Sequence, residues 1–439
     1  MKLSIRRISF LLTCLFVCVS EPVAASKIQW GYVAGSHVRT STETSNFRGA
    51  EIELDVDMQW NLFQSIDLIA QVRARKIIGD SLSREWQTQE INRSHINRLH
   101  YFGDEFYLDL RDFYFNITLN DLFLRVGKQQ VVWGQADAFK ILDQLNPQSF
   151  REFILDDYSE SRISLWSLLA EYRLGNLDMQ FFWTPDTSRH EIPYYPDWFG
   201  WTTPRLVPQA PNNVTLLGIR SVSAEGNAIA ADWGVQLSTF IGGWDISLNY
   251  AEKEPAIGAY HWAVQPGGVV LEIDYQQQKI FGFSAATAIR DFVIRTEATT
   301  RKGPVLVYAT NMSQGTHSAD QRNTLWLAGV DYSGFQETFI SVQILSDRLN
   351  NTKYKTIRPR LETYTSAYIE RRIADLKFGI EALHNWTEDD GYAKLFFSSE
   401  LSDHFEWQVT YAYFYGEVEG IFGQFSEKNL FKLSLMYRS

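Results

Sequence analysis

Cysteine is almost missing from this chain. There are two, Cys14 and Cys18, and both lie near the N-terminus. Everything after them is barred from disulfides, thiol nucleophiles and cysteine metal sites. Long apolar runs are also missing. Only Ile8 to Val19 is continuous, and it falls short of the 18 or so residues a spanning helix needs. Of 12 prolines, six crowd into 185–226, so the rest of the chain has few strand breakers. The eight histidines, His37, His95, His100, His190, His261, His317, His384 and His404, stand in no metal-binding or triad spacing. A phosphate loop, a nucleophile elbow and a paired-carboxylate motif are lacking too. We therefore expect no catalytic residue, no metal, no cofactor and no enzyme activity. The net charge of -11 argues against nucleic acid as a partner.

Aromatic residues, by contrast, reach 15%, with 14 Trp, 21 Tyr and 29 Phe. That abundance suits a membrane barrel with aromatic girdles. The N-terminus has the layout of a secretory signal peptide: Lys2, Arg6 and Arg7, then the apolar run, then Val23-Ala24-Ala25 before a cleavage point. Residues 1–25 are assigned to this leader and 26–439 to a single domain.

That domain reads as repeated short segments with a period of two. From Glu51 to Trp60, the residues Ile52, Leu54, Val56, Met58 and Trp60 alternate with Glu51, Glu53, Asp55, Asp57 and Gln59. Near the C-terminus, Phe431, Leu433, Leu435 and Tyr437 form one face before Arg438-Ser439. Tight turns recur at Asn61–Ser65, Asn120–Asp121, Gly175–Asn176, Gly242–Gly243, Arg290–Asp291, Gly334–Gln336, Ala374–Asp375 and Ser402–Asp403. Between them fall mostly longer connections: 40–50, 78–104, 134–161, 185–226, 255–268, 302–322, 347–363, 387–391 and 416–427. Short turns alternating with long loops predict an all-β, up-and-down antiparallel transmembrane barrel of about 18 strands, with 16 also open. Its place would be the outer membrane of a Gram-negative bacterium, in contact with outer-membrane lipid and with the machinery that assembles such barrels.

Two regions break the alternation. In 134–161, Asn146-Pro147 predicts a helix start, with Gln148 to Leu155 as a short helix. The 185–226 loop carries Tyr194, Tyr195, Trp198, Phe199 and Trp201, suited to stacking on a sugar ring or to packing the loop on the rim.

The stretch Arg125-Val-Gly-Lys-Gln-Gln-Val-Val-Trp-Gly-Gln-Ala-Asp137 is distinctive. So are Leu142-Asp-Gln-Leu-Asn-Pro147, Arg151-Glu-Phe-Ile-Leu155 and Ser161-Arg-Ile163. Together they resemble a proteobacterial family of outer-membrane barrels known only as a domain of unknown function. They are distantly similar to alginate-export barrels. The family motif falls on Gly127, Gln129, Trp133, Gly134, Asn146, Pro147, Arg151 and Arg162. The resemblance implies fold and location rather than a substrate.

The residues themselves point to a pore. Arg73, Arg75, Arg111 and Arg125 are placed on a lumen face beside the 134–161 segment, although the strand carrying Arg111 alternates poorly. Glu272, Asp274, Arg295, Glu297, Glu370, Arg372, Lys377 and Glu381 are also assigned to the lumen, because charges facing lipid are costly. Asp137, Asp143 and Glu152 are candidate partners for Arg125. Such charges either select solutes or stabilise a hydrated interior by cross-strand pairing. The segment either folds inward and narrows the pore or locks the rim. The expected role is a channel that passes or exports an unidentified small or polymeric solute. A structural or adhesive barrel is the alternative, and an outer-membrane enzyme a more remote one.

Overall fold

A computed structural model describes residues 27–42, 47–79, 92–136, 138–156, 158–193, 197–222, 231–308, 315–350 and 353–439. Residues 1–26, and with them the expected leader, lie outside the described residues, as do Asp137, Tyr194 and Tyr195. In chain order the strands are β1 (Lys27–Ser41), β2 (Phe47–Phe63), β3 (Ile66–Ile78), β4 (His100–Phe102), β5 (Phe106–Leu119), β6 (Leu122–Gln129), β7 (Leu165–Leu174), β8 (Leu177–Thr184), β9 (Leu216–Val222), β10 (Asp232–Ile241) and β11 (Trp244–Lys253). They continue as β12 (Ala259–Gln265), β13 (Gly268–Asp274), β14 (Gln278–Ile289), β15 (Phe292–Tyr308), β16 (Thr316–Tyr332), β17 (Thr338–Asn350), β18 (Leu361–Ile373), β19 (Leu376–Asn385), β20 (Asp390–Glu400), β21 (Phe405–Tyr415) and β22 (Leu430–Arg438). A short α-helix, α1, spans Tyr158–Ser161.

Eighteen strands form a closed antiparallel ring, each bonded to the next around the barrel. β1 pairs with β22 from Val33↔Arg438 to Ser41↔Leu430, which closes it. β4 is a short addition on β5. All eight tight turns fall where the sequence places them. Several need a left-handed residue, as two-residue hairpins do: Asn120 (φ 52°), Gly175 (φ 62°), Gly242 (φ 61°), Arg290 (φ 55°) and Ala374 (φ 52°).

The alternation places apolar side chains outside. Ile52, Leu54 and Val56 are exposed on the outer wall, while Glu51 and Asp55 between them are buried inside. The wall is uneven. β15 and β16 have 17 residues each, but β6 and β8 only 8.

Four expectations need correction. Gln148 to Leu155 is not a helix. The Ser149 and Phe150 amides donate to the Ser161 and Glu191 carbonyls, and Phe153 sits at φ 55°. Backbone donors committed to distant partners cannot also make helical bonds. The 255–268 loop extends from 254 to 277 and contains β12 and β13, which form a separate sheet with β9. Glu272 and Asp274 belong to that sheet and not to the lumen wall. The 302–322 loop is largely strand, because β15 and β16 stay paired as far as Tyr308↔Thr316. The poor alternation around Arg111 is a β-bulge. Gln71 pairs with Asp112 and Val72 with Leu110, which leaves Arg111 as the extra residue. The inward set therefore runs Tyr107, Asp109 and Arg111, then Asp112, Tyr114 and Asn116.

Gly127 has φ 137°, and a Cβ there would lie 2.2 Å from the Phe113 carbonyl oxygen. Gly127→Ala should prevent the compact, heat-modifiable form from appearing on gels. Ala374→Gly, which relieves a left-handed alanine costing roughly 1 kcal/mol, should raise the temperature at which that form is lost. Equal behaviour of the two variants would contradict the assigned backbone.

Candidate functional site: a segment folded across the lumen

Residues 130–164 leave the wall after β6 and return at β7. Asn146 ties their neck. Its Oδ1 accepts from the Val131 amide at 2.8 Å, and its Nδ2 donates to the Ile163 carbonyl at 2.8 Å. The Ile163 amide donates to the Pro147 carbonyl at 2.9 Å. Gln129, fully buried, donates to the Arg125 and Ser167 carbonyls. Arg162 staples the segment internally to Asp143 at 2.7 Å. Trp133 donates its indole N–H to Gln180 on β8.

Beyond the neck, the segment reaches inward-facing side chains on strands far around the ring. The Glu297 carboxylate on β15 accepts from the Gln135 and Ala136 amides. Gly134 beside it sits at φ 89°, and a Cβ there would lie 2.9 Å from the Leu142 Cβ, so a side chain is strained at this position. Arg301 on β15 donates to the Gln144 side chain at 2.5 Å, and Lys253 on β11 to the Leu145 carbonyl at 3.1 Å. At the far end, Arg151 meets Glu51 on β2 at 2.6 Å. Glu152 pairs with Arg39 on β1 and with Lys432 on β22, the latter at 2.9 Å. A rim-locked loop would not touch β1, β2, β11, β15 and β22 from inside. The segment crosses the lumen.

The basic cluster makes close contacts with carboxylates and with the segment. Arg73 grips Asp55 through two bonds of 2.6 Å and reaches Glu160 of α1 at 2.5 Å. Arg75 meets Glu51 at 2.6 Å, Glu53 at 2.8 Å and the Tyr107 hydroxyl at 2.9 Å. Arg111, thrown inward by its bulge, donates to the Ser159 and Glu160 carbonyls at 2.8 and 3.0 Å, which caps α1. Arg73 and Arg111 hold the segment directly, and Arg75 reaches it through Glu51, which Arg151 shares.

Arg125 stands apart. Asn116 Oδ1 accepts from it at 3.1 Å, and its guanidinium lies 4.8 Å from the Tyr114 ring. It makes no ion pair among the described residues. Neither Asp143 nor Glu152 is its partner, since both carboxylates are committed elsewhere. Several other lumen charges pair across strands: Arg295 with Asp331, Lys377 with Glu370 at 3.0 Å and Lys394 with Glu381 at 2.7 Å, while Arg372 makes no ion pair among the described residues.

Opposite the charged wall of β1–β5, the interior is apolar, which the alternation rule did not anticipate. Leu325, Leu327, Leu345, Tyr364, Leu383 and Phe414 face inward and are buried. Phe139 and Phe153 from the segment, Phe199 and Trp201 from the 185–215 loop, and Phe422 and Phe425 from the 416–429 loop pack against them. Phe153 lies 4.5 Å from Phe425, and Phe199 lies 5.6 Å from Phe425. Phe150 lies 5.2 Å from Trp201. A signal was present: β16 reads Leu325-Trp-Leu-Ala-Gly-Val330, apolar on both faces. A strand apolar on both faces is covered on both.

The 185–215 loop also contributes His190. Its Nδ1 accepts from the Gln148 amide at 2.9 Å, so the ring is neutral there. Burial, then the cations Lys253, Lys140 and Arg301, push it down to about 3. Burial brings Lys140 in the segment down to about 7, with Asp143 opposing the shift and Arg162 adding to it.

A closed ring of this kind, apolar outside and with polar groups inside, has the fold of an outer-membrane β-barrel. The family model for a protein of unknown function, DUF1302, matches residues 42–421, and the chain belongs to that family. No curated protein matches it. Among solved structures, Acinetobacter baumannii OccAB1 is 7% identical with a TM-score of 0.51, covering 95% of this chain and 97% of its own. OmpT, an outer membrane protein of Vibrio cholerae in its trimer form, is 10% identical with a TM-score of 0.47, covering 95% of this chain and all of its own.

The folded state keeps His190 uncharged. Its contribution to stability is whole above the ordinary value near 6.5 and is lost as pH falls from there towards 3. In detergent-solubilised barrel, protease should cut the 185–215 loop faster at about pH 4 than at pH 7. His190→Gln, which keeps an acceptor for Gln148 but does not titrate, should flatten that difference. Equal cleavage of the wild type at both values would refute the assignment.

Proposed function

We propose that the protein is an outer-membrane channel whose lumen is narrowed by residues 130–164, and that it passes or exports a solute along the hydrated path that remains. The observation that carries this reading is the span of the segment. Glu297 on β15 holds one end, while Arg39, Glu51 and Lys432 at the β22–β1–β2 seam hold the other. A loop built only to brace the rim has no use for anchors on opposite walls, whereas a constriction needs them. On this reading residues 1–25 are a leader that sends the chain across the inner membrane, the short turns lie in the periplasm and the long connections face outward. The partners are outer-membrane lipid, the assembly machinery and the solute. No nucleic acid and no catalytic step are involved.

Arg125 is the leading selectivity residue, because a lumen cation with no carboxylate partner biases the local ion population. Arg73 and Arg75 are matched by carboxylates, and Arg111 is held by backbone carbonyls of the segment, so the three set the position of the constriction.

In planar bilayers, deleting residues 136–156 should raise single-channel conductance. Arg125→Glu should shift preference towards cations, and the shift should fade near 1 M salt, where screening shortens to about 3 Å. A barrel with no conductance before or after the deletion would favour a structural or adhesive role.

A further inference from the structure

On the outer wall, three cations stand side by side on three neighbouring strands. Ile280 on β14 pairs with Arg301 on β15, so the adjacent Lys279 and Lys302 form the next rung. Lys302 pairs in turn with Arg322 on β16. All three alternate with inward-facing residues and are exposed. Arg348 on β17 is exposed one rung lower, because its row partner Thr324 lies two residues from Arg322.

Just below this row the wall is apolar, with Phe281, Phe283 and Trp326 exposed. Just above it lies a cavity of about 700 Å³, lined by His261, Asp274, Lys279, Lys302, Asp320 and Arg322 among others. The β12–β13 hairpin is one of its walls. It is pinned to the barrel by the Tyr260 amide on the Ser318 hydroxyl and by the Trp262 indole N–H on the Thr316 carbonyl, each at 2.8 Å.

Charges on a lipid-facing wall are expensive at mid-depth and tolerated only near the interface. This row marks the level where acyl chains give way to headgroups. Lys279 is partly matched by Glu252 at 3.3 Å, and Lys302 by Asp320 at 3.2 Å. Arg322 and Arg348 make no ion pair among the described residues.

We propose that this cavity and row bind the headgroup of a phosphorylated glycolipid of the outer leaflet. Lys302, Arg322 and Arg348 take the phosphates through charge-assisted bonds. Asp274 and Asp320 accept from sugar hydroxyls, and Phe281, Phe283 and Trp326 lie against the acyl chains. A free anion uses only the cations and leaves the apolar wall unemployed. A simple anionic phospholipid leaves the carboxylate-lined side of the cavity unused. The proposal rests on the outer-membrane reading, yet it can fail alone, because a barrel may conduct without retaining any lipid.

The test is native mass spectrometry of the purified full barrel in detergent. The probes are a doubly phosphorylated glucosamine-disaccharide lipid, its dephosphorylated form, phosphatidylglycerol and inorganic phosphate. The wild type should retain the phosphorylated glycolipid over each of the others. The Lys302→Ala/Arg322→Ala double variant should retain it about tenfold less, the loss expected of one or two charge-assisted contacts. Arg173→Ala, which removes an exposed cation at the opposite end of the barrel, should bind as the wild type does. Should the double variant fail to assemble, Arg322→Gln alone is read the same way in barrels that remain heat-modifiable. Equal retention of phosphatidylglycerol, equal competition by phosphate, or an unaffected double variant would each overturn the assignment. Single-channel conductance of the double variant, expected to match wild type, separates loss of this site from failure of the channel.

Discussion

A ring of eighteen strands encloses more space than its own side chains can fill. Everything inside this barrel answers to that constraint. The wall cannot make its own core, so the interior is built from connections drawn inward, and the inward faces of the strands are divided to receive them. One side offers carboxylates and guanidiniums, the other leucine and aromatic rings. The 130–164 segment joins the two. Its polar end meets β1, β2 and β22, and its phenylalanines meet β18 and β21.

The two kinds of anchor differ in what they contribute. Aromatic packing is non-directional, so rings can meet at many angles. The buried charges are not. Glu51 is shared by Arg39, Arg75 and Arg151, and removing one member of such a set leaves uncompensated charge away from water, typically at a cost of about 3–5 kcal/mol. Buried ion pairs contribute little net stability against a well-packed apolar alternative, but they tolerate few arrangements. The polar half therefore sets where the segment sits, and the aromatic half supplies most of the buried apolar surface that keeps it there.

Most of the barrel was legible because a two-residue period and a sorted set of loop lengths are properties of the chain itself. Ile52 and Glu51 announce opposite faces, and Asn120–Asp121 announces a turn, without reference to anything distant. What resisted reading depends on remote contacts. The segment 148–155 carries a good helix-start signal, yet its amides bond to Glu191 and Ser161. The partners of Asp143 and Glu152 were misassigned because proximity in sequence favoured Arg125, whereas the lumen brings Arg39 and Lys432 to Glu152 from the two ends of the chain. Arg111-Asp112 was readable in principle, since two successive polar residues in an alternating strand are the mark of a bulge. The geometry of Asn146, Gly127 and Gly134 appears only once the neck and the close approaches are seen.

The seam between β1 and β22 has an implication for the order in which the molecule comes together. Glu152 takes one partner from each side of that seam, Arg39 near the start of the chain and Lys432 near its end. Synthesis delivers Glu152 long before Lys432 exists, and an open sheet holds the two terminal strands apart. The carboxylate thus acquires its full set of neighbours only in the last event of assembly, when the sheet curls round and its edges meet. A barrel arrested one strand short would have a loosely held interior as well as an open side.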